Sequence, residues 1–81
     1  MNIEEQVRDI LARITRVDRN IITRESTFKE IKADSLDVVQ ALVAVEETFG
    51  IEIPDEEAQK FQNFGDFVCY VENRVAQKGK V

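Results

Sequence analysis

The sequence predicts an all-α fold, a four-helix bundle with a short third helix and a long first loop. Three observations lead there. Apolar residues recur at helical spacing in three segments, helix-starting and helix-stopping residues bracket those segments, and no stretch alternates convincingly as a strand. The 81 residues are expected to form one domain over 1–81, with a helical core over 1–76 and a frayed tail over 77–81. No internal repeat or heptad series is present.

Residues 3–16 read as the first helix. Ile3, Val7, Ile10, Leu11 and Ile14 share one face. Asn2 is a good N-cap, and Glu5 three residues later suggests a capping box. Asp18-Arg19-Asn20 breaks the pattern and opens a connection over 17–33, anchored by Val17, Ile21, Ile22, Phe28 and Ile31. A connection this long in a small domain is often functional.

Asp34 caps the second helix, with Ser35 at its first position and Asp37 in its first turn. Gly50 stops it after Phe49. Ile51-Glu52-Ile53-Pro54 is an extended link. Pro54-Asp55-Glu56-Glu57 starts the third helix, which is expected to end near Phe61. The fourth opens at Asn63-Phe64-Gly65-Asp66 and buries Phe64, Phe67, Val68, Val71 and Val75.

The second helix carries two apolar stripes. Val38, Leu42, Val45 and Phe49 form one; Leu36, Val39 and Val43 form another, with Gln40, Glu46 and Glu47 beside it. Either the helix sits centrally and buries both, or the second stripe is a binding surface.

Charge is concentrated. The net charge is −5 overall, built from +1 over residues 1–33, −7 over 34–60 and +1 over 61–81. Such an acidic middle repels nucleic acid and anionic membrane and steers towards basic protein surfaces. The absence of histidine excludes Ser-His-Asp and Cys-His catalysis and the common His-containing metal sites, and no metal site is expected. An EF-hand spacing is absent from the acids. One cysteine, Cys69, excludes an intramolecular disulfide and is expected to be a semi-buried, inert thiol, with Tyr70 a packing residue. The N-terminus has no basic region followed by an apolar one, and no apolar run reaches the roughly 18 residues of a membrane span. A cytoplasmic monomer without stable membrane insertion is expected.

Ser35 has no visible base or oxyanion-hole signature, so a hydrolase is rejected. The string around it says more. Ala33-Asp34-Ser35-Leu36-Asp37, followed at this distance by Glu46-Glu47-Thr48-Phe49-Gly50-Ile51-Glu52-Ile53-Pro54-Asp55-Glu56-Glu57-Ala58, closely resembles the acyl carrier proteins of bacterial fatty acid synthesis. The similarity runs at lower density from Ile3 to about Val75.

That resemblance implies a non-catalytic carrier. The serine of Asp-Ser-Leu, here Ser35 behind Asp34, would be esterified with 4′-phosphopantetheine taken from coenzyme A. An unactivated serine is a poor nucleophile, so a separate phosphopantetheinyl transferase would supply the activation. The family's docking helix matches Leu36, Asp37, Val39, Gln40, Val43, Glu46 and Glu47 here, with Glu52, Asp55 and Glu56 beyond. Basic patches on fatty-acid-synthesis or related acyl-transfer enzymes would meet these residues. The acyl chain would lie among Leu42, Val45, Phe61, Phe67 and Val71.

Three departures from the family pattern point to a specialised carrier. Lys32 stands where glycine is usual, in a Phe28–Ser35 stretch one residue shorter than usual. Gln40 replaces a glutamate, and Phe67 replaces a small residue on the pocket wall. Carriers of polyketide or aminoacyl intermediates share the fold, and an unmodified acidic adaptor is the reading from another class. Asp34 argues against the carriers of peptide synthetases, which typically lack that acid.

Overall fold

The computed structural model describes residues 2–78. Helix α1 spans Ile3–Thr15, α2 Ser35–Phe49, α3 Asp55–Ala58 and α4 Phe64–Lys78, with a single 3₁₀ turn at Arg19–Ile21. The expected all-α bundle is what forms.

The core is one apolar cluster fed by every long element. Val7 and Leu11 come from α1, Ala41, Leu42 and Val45 from α2, and Phe64, Phe67, Val68 and Val71 from α4. Ile22 and Ile31 seal it from the long loop, Ile51 and Ile53 from the link before α3. No polar or charged residue among the described ones is fully buried. The expected anchor Ile21 instead lies 59% exposed, because the 3₁₀ turn directs Ile22 inward in its place. Val75, near the end of α4, is only half-buried.

Helix ends follow their local chemistry. Asn2 Oδ1 accepts the Glu5 N–H at 2.8 Å and caps α1. The expected return bond from Glu5 gives way to stronger partners, the guanidinium groups of Arg8 and Arg19. Arg16 ends α1 in the left-handed region at φ 61°. Gly50 does the same for α2 at φ 65°, at no Cβ cost. Helix α3 stops at Ala58, short of the expected Phe61. The chain there tightens into i→i−3 bonds, from Lys60 N–H to Glu57 O at 3.0 Å and from Phe61 N–H to Ala58 O at 3.2 Å. At the other end, α4 outruns the expected core boundary. Gln77 and Lys78 are helical, and Lys78 Nζ donates to the Phe49 carbonyl at the C-terminus of α2 at 2.9 Å. The rest of the expected frayed tail, 79–81, lies outside the described residues.

The long loop is strapped to the helices. Arg8 pairs with Glu4 and Glu5, both at 2.7 Å, and donates to the Ile22 carbonyl at 2.9 Å. Arg24 pairs with Glu4 at 2.7 Å, and Arg19 with Asp9 at 2.7 Å. Bonding to Arg8 and then Arg24 holds the Glu4 carboxyl below its ordinary pKa, and Arg19 does the same for Glu5. The Arg24 and Ser26 carbonyls accept the Gly65 and Phe64 N–H groups at 2.9 and 2.8 Å, satisfying donors at the start of α4. A Cβ at Gly65 would sit 2.9 Å from the Arg24 oxygen, so only glycine permits this approach. The strap therefore fixes where the loop delivers its last residues, which lead into Ser35.

Candidate functional site

Phe28 to Ala33 close a compact turn before α2. Ala33 N–H donates to Phe28 O at 2.9 Å, and Lys32 N–H to Lys29 O at 3.1 Å. This is the Schellman pattern, and it requires a left-handed residue at its turning point. Lys32 takes that role at φ 58°. A side chain there costs about 1–2 kcal/mol relative to the right-handed region. Lys32→Gly is expected to stabilise the protein by up to about 1 kcal/mol, after the greater freedom of glycine in the unfolded chain is offset. Chemical denaturation checks this; an unchanged or lower midpoint contradicts it.

The turn hands Asp34 to the start of α2. Asp34 Oδ1 accepts the Asp37 N–H at 2.9 Å, and Asp37 Oδ2 accepts the Asp34 N–H at 3.4 Å. The two acids form a reciprocal capping box around Ser35. Ser35 is exposed, and its hydroxyl has no hydrogen-bond partner among the described residues. The same holds for the Ser35 and Leu36 backbone N–H groups. A phosphodiester on Ser35 Oγ would find those donors and the positive end of α2 beside it. The site thus suits attachment of a phosphate-linked arm. Among the described residues no base is hydrogen-bonded to the serine hydroxyl to activate it.

An open groove of about 520 Å³ leads away from Asp34 and Ser35. Val38, Val39 and Leu42 of α2 form one wall; Asp55, Ala58, Gln59 and Phe61 form the other. Phe28 and Ala33 close the loop side. Of the residues expected around the cargo, Leu42 and Phe61 line this groove. Val45, Phe67 and Val71 are buried in the core and do not line it. Phe67 lies behind Phe61, with ring centroids 5.4 Å apart and planes 18° from parallel. Phe28, Ala33, Val38, Ala58 and Gln59 were missed as wall residues. Proximity to Ser35 marked Ala33 and Val38, but only the folded loop brings Phe28 to them.

The second apolar stripe of α2 is a surface. Leu36, Val39 and Val43 are 64%, 52% and 46% exposed. Gln40, Glu47, Glu52, Asp55 and Glu56 are exposed as well. Asp37 and Glu46 differ from the other residues expected to meet partners because each does backbone work. Glu46 is half-buried, and its carboxylate accepts the N–H of the buried Ile53 at 2.9 Å. It pins the link between α2 and α3. Glu46→Lys is therefore expected to lose about 1–3 kcal/mol of stability by orphaning that N–H. Glu47→Lys should stay within about 0.5 kcal/mol of the parent. Paired urea denaturation curves test the split, and equal stabilities would refute it.

Away from the groove, Cys69 is exposed, contrary to the expected semi-buried position, because it falls just outside the Phe67–Val71 stripe. Tyr70 packs as expected, its ring 5.5 Å from Phe61.

Known proteins resemble this chain over nearly its full length. The family profile described as "Phosphopantetheine attachment site" matches residues 5–71. An acyl carrier protein of Helicobacter pylori (strain G27) is 46% identical over 74 residues, covering 90% of this chain and 95% of that protein. One from Helicobacter acinonychis (strain Sheeba) is similar to the same extent. Among solved structures, the holo acyl carrier protein from Geobacter metallireducens superposes with a TM-score of 0.85 at 28% identity, covering 99% of this chain and 93% of that one. The acetyl actinorhodin acyl carrier protein from Streptomyces coelicolor shares the fold, with a TM-score of 0.80 at 19% identity and 91% of each chain covered.

Proposed function

This chain belongs to the acyl carrier protein family, whose prosthetic group is phosphopantetheine, and from that premise we propose that the group is attached at Ser35 by a separate phosphopantetheinyl transferase drawing on coenzyme A. The observation that carries the assignment is the exposed Ser35 hydroxyl, without a partner among the described residues, at the first position of α2 and at the mouth of an apolar groove. The arm's terminal thiol supplies the chemistry, holding acyl groups as thioesters.

The residues around Ser35 position and present. Asp34 and Asp37 each direct one carboxylate oxygen to the helix cap, and neither is hydrogen-bonded to the Ser35 hydroxyl, so the serine proton passes to the transferase in this reading. Their negative charges also oppose collapse of a phosphate onto the protein and favour an arm held out in water. Leu36, Val39 and Val43 offer a small apolar anchor within an acidic rim of Glu47, Glu52, Asp55 and Glu56. Such a surface suits brief contacts with basic patches on acyl-transfer enzymes, with fast association and ready release.

The pathway we assign is fatty acid biosynthesis or a related side pathway, supported by the likeness to the Helicobacter acyl carrier proteins. The whole chain acts as one carrier domain, monomeric and cytoplasmic. Among the described residues no helix is long and apolar enough to cross a membrane. Incubation with coenzyme A and a transferase, followed by intact-mass analysis and peptide mapping, tests the assignment. One arm on the peptide holding Ser35 is the expected outcome. No mass gain, with a transferase active on a control carrier, would overturn it.

A further inference from the structure

One wall of the groove beside Ser35 is backed by an aromatic stack whose two members differ in how firmly they are held. Phe61 lines the groove and is half-buried. Phe67 stacks behind it, is 1% exposed, and also meets the Phe28 ring edge-on at 6.3 Å. Phe67 sits within α4, a helix of 15 residues with core on its inner face. Phe61 follows α3, a helix of four residues without a side-chain cap, and its own N–H makes only a short-range turn bond to Ala58. Segments with such local bonding open most cheaply.

We propose that Phe61 is a movable gate seated on Phe67, and that this pair sets the acyl length the carrier shelters. The proposal rests on the reading that Ser35 carries the acyl-bearing arm. With Phe61 seated, a short acyl group lies between the ring and the α2 wall of Val38, Val39 and Leu42. A longer chain has to drive Phe61 off Phe67, because Phe67 is fixed by the core and cannot retreat without overpacking it. The gain from burying further methylenes is then offset by the lost ring stack. Short straight-chain acyl groups are therefore the class this groove retains, and longer ones stay in water or displace the gate.

The test uses the full chain carrying an amine-ended analogue of its arm, nitrogen replacing the terminal sulfur, with straight acyl groups from acetyl to decanoyl held as amides. Two readouts are followed, the thermal midpoint and the nuclear Overhauser contacts between the Phe61 and Phe67 rings. Short groups are expected to raise the midpoint by about 3 °C per methylene buried, with the ring contacts intact. The rise then stops, and the ring contacts weaken at the length where it stops. Phe61→Ala should carry the rise to longer chains. A midpoint climbing steadily to decanoyl with ring contacts unchanged would overturn the gate, as would the same plateau in Phe61→Ala. Failure to gain the arm at all, seen in the intact mass, would instead overturn the carrier reading beneath it.

Discussion

Ser35→Ala is expected to abolish attachment of the arm completely while leaving the fold intact. The loss is total because the variant has no oxygen at the position where the ester must form. Stability should stay within about 0.5 kcal/mol of the parent. The capping oxygen belongs to Asp34, Ser35 is exposed, and its hydroxyl has no hydrogen-bond partner among the described residues. Alanine is also a good residue for a first helical turn. Intact mass after transferase treatment reads the first effect, and a urea denaturation curve reads the second. Arm attachment persisting in the variant would mean another residue is the acceptor. A large drop in stability would mean the serine does structural work that its geometry does not show.

The largest stability effect is expected from Phe64→Ala. Phe64 is fully buried at the start of α4, where α1, the long loop and α4 meet. Its ring also lies under the Arg8 guanidinium, 5.4 Å from the centroid. Arg8 in turn ties Glu4, Glu5 and the Ile22 carbonyl together. Removing the ring costs about 3–5 kcal/mol in lost burial and cavity. A domain of this length has about 4–12 kcal/mol in all, so the variant should be close to unfolding at ordinary temperature. Calorimetry would show the midpoint falling by roughly 12 °C or more. Val39→Ala provides the contrast, since Val39 is 52% exposed and its loss should be within about 0.5 kcal/mol. If the two variants melt alike, the core is not where the structure puts it.

Much of the fold was legible in local chemistry. Asp34, Gly50 and the apolar spacing of α1, α2 and α4 each act within a few residues, and local signals of that kind are readable without a partner. Ser35 was legible through the resemblance carried by the contiguous Ala33-Asp34-Ser35-Leu36-Asp37 string, since a helix-start position alone is ordinary for serine. The two stripes of α2 were legible as pattern, but whether the second is buried along with the first was not. Burial depends on where α1 and α4 pack, and only the assembled bundle leaves Leu36, Val39 and Val43 outside.

Other features came from contacts between distant residues. Glu46 reads as one more surface acid, yet Ile53 reaches back to it and makes it a structural brace. Ile21 and Ile22 are alike in sequence, and a single 3₁₀ turn decides which is buried. Phe67 reads as a pocket wall, but Phe61 comes between it and the groove. Capping and periodicity, which are short-range, thus determined the helices from the sequence alone, the distribution of charge marked the acidic segment, and the resemblance of the Asp34-Ser35-Leu36 string to acyl carrier proteins picked out the candidate attachment serine. The groove, its aromatic gate and the division of labour among the acids were decided by tertiary structure, because each needs side chains from separate elements at one place.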